Sequence, residues 1–115
     1  MKLINNYINY VELKANDLHK IKSFYSGVFN WKFTDYGPDY TAFSESGIAG
    51  GFEKTATPVV KGALIVLYHE DLNLIQHKII GSGGRITKEI FSFPGGQRFH
   101  FEDPSGNELA IWSEN

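Results

Sequence analysis

The run Gln97-Arg98-Phe99-His100-Phe101-Glu102-Asp103-Pro104-Ser105-Gly106-Asn107-Glu108-Leu109-Ala110-Ile111-Trp112 reads as two alternating strands around one turn. Asp103 suits the first position of a type I turn, Pro104 presets φ for the second, and Gly106 can take the left-handed conformation that closes the loop. Strand alternation puts Phe99, Phe101, Leu109 and Ile111 on one face. Arg98, His100, Glu108, Ala110 and Trp112 fall on the other. The first face is core-like. The second mixes charge, imidazole and indole, and is the first candidate for a site.

The rest of the chain is organised to support such a hairpin. Residues 7–15 alternate, with Val11, Leu13 and Ala15 on one side and Tyr10, Glu12 and Lys14 on the other, the pattern of a strand buried on one face. Asn16-Asp17 supplies an N-cap; Leu18, Ile21, Phe24, Tyr25 and Val28 follow at helical spacing, and Gly27 and Asn30 are expected to end that helix. Three short strands follow, over 31–36, 40–45 and 48–53. The pattern then restarts after a connector: a strand over 63–69, a helix from Leu72 capped by Asp71, a stop at Gly81-Ser82-Gly83-Gly84, a strand over 85–90, a turn over 91–96 and the hairpin. An offset of 54 residues places Asn16-Asp17-Leu18 on Glu70-Asp71-Leu72 and Gly27 on Gly81. The order is therefore a repeated β-α-β-β-β unit. Each unit leaves a sheet face uncovered, so two units predict a cleft between two curved half-sheets.

Composition narrows the function classes. At 115 residues the chain is one domain with a core of useful size. Nine Phe, six Tyr and two Trp favour strands and an aromatic-lined pocket. A net charge of −2 gives no reason to expect nucleic acid or an anionic membrane. The absence of cysteine excludes disulfides, thiolate metal sites and a cysteine nucleophile. The N-terminal residues lack an apolar core of signal-peptide type, and no stretch approaches membrane-spanning length, so a cytoplasmic protein is expected.

In this order, three motifs resemble the vicinal oxygen chelate superfamily, which includes glyoxalase I, bleomycin-resistance proteins and extradiol dioxygenases. Asn16-Asp17-Leu18 with Ser23-Phe24-Tyr25-Ser26-Gly27-Val28-Phe29-Asn30-Trp31 resembles the family's first helix and its exit. Asp103-Pro104-Ser105-Gly106-Asn107-Glu108-Leu109 resembles its final hairpin, and Gly47-Ile48-Ala49-Gly50-Gly51-Phe52 is similar to the glycine-rich fourth strand of a glyoxalase-related subgroup. The resemblance covers nearly the whole chain. It implies an α+β fold in which two βαβββ modules form a curved mixed sheet around a cleft, with helices on the outside. The single domain, 1–115, would divide into module one at about 5–54, a connector at 55–61 and module two at about 62–113.

Metal-dependent members of the family usually draw ligands from four strands facing the cleft. Transferred to this chain, those places are Tyr10, Leu64, Ala110 and a position near Gly51 or Phe52. Leucine and alanine carry no donor and an unaided tyrosine is a poor one, so neither metal nor cofactor is expected. His69, Glu70 and Asp71 are neighbours whose side chains alternate in direction, and His19 and His77 lie on helical faces read as solvated. His100 differs, because it shares the cleft face with Arg98, Ala110 and Trp112, while Tyr10 and Glu12 face the same cavity from the first strand.

The reading is a small-molecule-binding protein with a metal-free cleft. Tyr10, Phe52, Tyr68 and Trp112 supply stacking surface, Leu64 and Ala110 occupy the vacated ligand positions, and Glu12, Arg98 and His100 orient the ligand. The alternative is a glyoxalase-related lyase or isomerase acting beside a carbonyl, with Glu12 as base and His100 or Arg98 as its electrostatic partner. A third option is a subunit with a vestigial cleft. The resemblance also implies a homodimer, in keeping with an edge strand in each half-sheet.

Overall fold

The computed structural model describes residues 3–6, 8–60 and 62–114. The expected start of the first strand at Tyr7 and the end of the connector at Lys61 lie outside them. Module one runs β1 (Tyr10–Ala15), α1 (Leu18–Phe29), β2 (Lys32–Asp35), β3 (Tyr40–Ser44) and β4 (Ala49–Lys54). Module two runs β5 (Ile65–Tyr68), α2 (Leu72–Gly81), β6 (Arg85–Phe93), β7 (Gly96–Glu102) and β8 (Glu108–Ser113). The fold is α+β, with two four-stranded mixed sheets of order β1-β4-β3-β2 and β5-β8-β7-β6. In each sheet the first strand pairs parallel to the last, and the others are antiparallel.

Local chemistry sets the element ends. Asp17 accepts from the Lys20 amide at 3.1 Å and Asp71 from the Leu74 amide at 3.0 Å, so each helix opens on an aspartate cap. Gly27 lies inside α1. Asn30, at φ 62°, is the left-handed residue that stops the helix, its amide reaching back to the Ser26 carbonyl at 3.1 Å. Module two departs from expectation at residues 91–96. Phe91 and Phe93 belong to β6, and the turn shrinks to Pro94-Gly95, with Gly95 at φ 117°. A proline followed by a positive-φ glycine is the chemistry of a tight two-residue turn.

One face of each sheet packs on the helices. Ile21, Phe24, Tyr25 and Val28 of α1 and Leu72, Ile75 and Ile79 of α2 are buried with Phe43, Phe52, Phe99, Phe101, Leu109 and Ile111. Helix α1 serves both modules. Tyr25 stacks on Trp31 with centroids 4.7 Å apart, while Phe24 and Phe29 each lie 6.2 Å from Phe101 in the other sheet. The β7–β8 turn completes this join. The buried Asp103 carboxylate accepts from the Tyr25 hydroxyl at 2.9 Å, from the Asn107 side chain at 2.9 Å, and from the Ser105 and Asn107 amides at 2.9 and 3.0 Å. Asn107 also donates to the Lys14 carbonyl at 2.8 Å, and the Asn16 amide donates to Ser105 Oγ at 3.1 Å. No helix among the described residues is long and apolar enough to cross a membrane.

Candidate functional site

Among the described residues no helix packs on the opposite face of each sheet, and strand parity decides which residues reach it. In the first sheet Glu12 is in register with Gly51 and Lys14 with Glu53, and Tyr40 also pairs with Glu53, so these residues share the open face with Tyr10. The Tyr10 and Tyr40 hydroxyls hydrogen-bond to each other directly above Gly51. A Cβ at Gly51 would come within 2.7 Å of the Tyr10 oxygen. The Tyr40 phenol is held above its ordinary range, first by desolvation and then by hydrogen bonds with Tyr10 and Glu12. Lys14 pairs with Glu53 and lies 4.0 Å from Glu12.

Phe52 was expected in this group and is not there. It is in register with Leu13 and Thr41, the opposite parity, and is fully buried against Tyr25, Phe33 and Phe43 with ring centroids 5.3, 6.5 and 5.6 Å away. Adjacent strand residues point to opposite faces. Only one of Gly51 and Phe52 can face the open side, and the bulkier one packs the core.

In the second sheet the open face carries Val66 and Tyr68 of β5, Glu108, Ala110 and Trp112 of β8, and Arg98 and His100 of β7. Tyr68 meets Trp112 edge-on at 5.3 Å. Ala110 sits between Val66 and His100 but is fully buried, forming the floor. His100 Nδ1 lies 3.2 Å from Glu108 Oε2, an oxygen that Thr87 Oγ1 approaches at 3.5 Å. The carboxylate beside His100 is therefore Glu108. Glu12, paired with it in the sequence reading, instead contacts Tyr40 and neighbours Lys14.

Strand β6 adds three side chains that sequence reasoning missed. Its register against β7 slips twice, so Lys88 lies opposite His100 and Phe91 opposite Arg98. Lys88 Nζ stands 4.4 Å above the Phe91 ring, and the Arg98 guanidinium lies 5.3 Å from Phe91 and 5.7 Å from Phe93. Phe91 lies three positions after Lys88, an offset that in regular strand would put them on opposite faces. Bulges allow both onto one face. Tyr40 was passed over because nothing in its own segment marks a cross-strand partner thirty residues away. Glu108 was visible on the His100 face, and its diagonal cross-strand position is the signal that could have found the pair.

The two sheets are not joined by a ladder among the described residues, but their edge strands β1 and β5 line the same two cavities. A cavity of about 210 Å³ gathers Glu12, Lys14, Leu64 and Glu108. A larger one, of about 540 Å³, runs along the helix side past Val28, Trp31, Phe43 and Leu67. The sequence-predicted residues thus divide. Tyr10 and Glu12 stand on the first open face, Arg98, His100 and Trp112 on the second, and Leu64 at the seam between the sheets.

The donor set does not fit the metal that the sequence resemblance implies. Tyr10, Gly51, Leu64 and Ala110 stand at the corresponding strand positions, and three of the four have no ligating atom in the side chain. No group of three or more His, Asp or Glu side chains able to hold a metal ion occurs among the described residues.

A family model described as Glyoxalase/Bleomycin resistance protein/Dioxygenase superfamily matches residues 7–111. The chain belongs to that superfamily. Solved members share the fold at low identity. A glyoxalase/bleomycin resistance protein/dioxygenase family enzyme from Burkholderia phytofirmans superposes with a TM-score of 0.81 at 14% identity, covering 93% of this chain and 98% of its own. A genomically encoded fosfomycin resistance protein from Listeria monocytogenes gives 0.79 at 16%, covering 96% and 94%. A lactoylglutathione lyase from Agrobacterium tumefaciens gives 0.72 at 17%, covering 94% and 93%. No curated protein matches the sequence. Identities this low carry the fold and leave the ligand and the reaction to be argued from the residues.

Proposed function

We propose that this superfamily member is a cytoplasmic, homodimeric small-molecule-binding protein that works without a metal. The observation that carries this is the row Arg98, His100 and Trp112 with Tyr68: two hydrogen-bonding cationic or ionisable groups beside two stacking aromatics, on a sheet face no helix covers. That combination suits orienting a ligand more than closing a core. Val66 and Tyr68 are 45% and 53% exposed, and a second copy laid over the edge strands would cover them. The lyase or isomerase alternative asks Glu12 to act as a free base beside a stabilised oxyanion, whereas Glu12 here lies against Tyr40 and near Lys14.

Thermal melts test the metal-free part. Adding Zn²⁺, Ni²⁺, Mn²⁺ or EDTA is expected to move Tm by less than about 1 °C; a stoichiometric ion raising it strongly would sink the reading, since saturating a tight site stabilises by several kcal/mol. Turnover of methylglyoxal with glutathione would overturn the binding-only reading. Sedimentation equilibrium at micromolar concentration checks the dimer, and a monomer at every concentration would remove it.

A further inference from the structure

The open face of the second sheet carries a chemistry that narrows the ligand. Two of its nitrogens, Arg98 Nε and His100 Nε2, are buried without a hydrogen-bond partner among the described residues. A buried polar group left without a partner is costly, and folds tolerate few of them. Here two occur two residues apart on one strand and one face. The His100 side chain is 12% exposed, and its Nδ1 is already engaged by Glu108, so Nε2 is the nitrogen left for something else. Neither Arg98 nor Lys88 has a carboxylate within ion-pair distance among the described residues; both cations lie against aromatic rings instead. The acidic groups of this face are committed, Glu102 to Arg85 at 2.6 Å and Glu108 to His100. Around the cations stand Phe91, Phe93, Trp112 and Tyr68, with Phe93 6.4 Å and Tyr68 5.3 Å from the indole. Strand β6, which brings Lys88 and the two phenylalanines over the donors, is a sheet edge with two register slips. A bulged edge strand can yield to admit a ligand more readily than a central one.

We infer that this face takes a small planar anion, an aromatic carboxylate, whose oxygens accept from Arg98 and from the Nε2–H of a doubly protonated His100 held between Glu108 and the ligand, while its ring lies against Trp112 and Phe93. Lys88 stands at the rim and adds to the positive field. The inference rests on the small-molecule reading above and gives it a charge sign. A bidentate guanidinium–carboxylate pair satisfies the donors in a geometry that an ammonium ligand cannot reproduce.

The test uses the full-length protein and three probes of one shape: 2-naphthoate, 2-naphthamide and 2-naphthylmethylamine, followed by calorimetry and by amide shifts along β7 and β8. The carboxylate is expected to bind at least about tenfold tighter than the amide, and the amine weakest, as a charge-assisted pair requires. Arg98→Gln should erase the carboxylate's advantage while shifting amide binding by less than about threefold. Should that variant fold poorly, Lys88→Gln at the exposed rim is expected to weaken the carboxylate alone by about two- to threefold. Equal affinities, or a preference for the amine, would overturn the anionic assignment and leave small-molecule binding standing. If no probe binds, the assignment falls as well, and a screen of uncharged and cationic compounds then decides whether small-molecule binding falls with it.

Discussion

Replacing Asp103 by asparagine probes the join between the modules. The carboxylate accepts four hydrogen bonds, two from backbone amides at one oxygen and two from Tyr25 and Asn107 at the other, all between 2.9 and 3.0 Å. An asparagine can keep one oxygen on the two amides. Its NH₂ then faces the Tyr25 hydroxyl and the Asn107 amide, both donors. The hydroxyl can turn and accept, but Asn107 Nδ2 already spends its other hydrogen on the Lys14 carbonyl and is left short by one acceptor. Losing a charge-assisted bond and orphaning a buried donor together cost about 2–4 kcal/mol. For a domain of this size that corresponds to a Tm lower by roughly 8–16 °C. Urea unfolding followed by far-UV circular dichroism reads it directly, with the midpoint falling at constant slope. A loss below about 0.5 kcal/mol would refute the reasoning, because it would mean the network contributes no more than exposed polar contacts do.

The same substitution has a pH signature. Burial raises the Asp103 carboxyl above its ordinary value of 3.8, against the opposing pull of Asn107 and Tyr25. A pKa raised in the folded state gives stability that is fully present below the unfolded value and is lost as pH climbs through the folded one. Wild type should therefore exceed Asp103→Asn by more near pH 4 than near pH 7, the gap narrowing as the buried carboxyl ionises. A gap that widened with pH would show that the hydrogen bonds outweigh desolvation.

The adjacent glycines of β4 should respond differently to the same change. A Cβ at Gly50 would overlap the Val11 carbonyl and the buried Phe43 ring, so Gly50→Ala is expected to cost more than about 2 kcal/mol in urea unfolding. At Gly51 the obstacles are the tips of Tyr10 and Tyr40, which can swing aside, and Gly51→Ala should cost less than about 1 kcal/mol while breaking their hydrogen bond. Ultraviolet titration should find Tyr40 ionising above the usual tyrosine range; since its raised pKa adds stability that is lost above about pH 10, Tyr40→Phe should flatten the alkaline arm of a pH–stability curve. Asp71→Ala removes the cap of α2 and is expected to lower stability by about 1 kcal/mol, against no effect for Asp39→Ala in an exposed turn, both measured by thermal melt.

What the sequence made legible was whatever depends on short-range periodicity. The alternation of Phe99, Phe101, Leu109 and Ile111 against Arg98, His100, Glu108, Ala110 and Trp112 survives intact in the burial and register of β7 and β8. Both aspartate caps stand where the helical spacing begins. The Phe91-to-Phe93 segment was lost because glycines and a proline just beyond it suggested a long turn, whereas Pro94-Gly95 turns the chain in two residues. Partnerships across strands were out of reach for a different reason. Tyr10 with Tyr40, and Lys88 opposite His100, depend on register, and register is set by packing and by bulges that leave no mark on local alternation.

Gly51 and Phe52 show why parity matters more to this site than residue type. A phenylalanine next to the expected ligand position invites assignment to the cleft wall, yet the neighbouring glycine occupies the open face and the ring fills the core. The bare backbone at Gly51 lets Tyr10 and Tyr40 close over it, where a side chain would hold them apart. On the second sheet Ala110 is the equivalent small residue, and the groups around it are His100 with its Glu108 partner and Val66. Each sheet has thus put a small residue at the centre of its open face and polar or aromatic groups at its margin. On the first sheet those groups satisfy one another. On the second, Arg98 Nε and His100 Nε2 have no hydrogen-bond partner among the described residues, and that asymmetry is what the anionic-ligand proposal rests on.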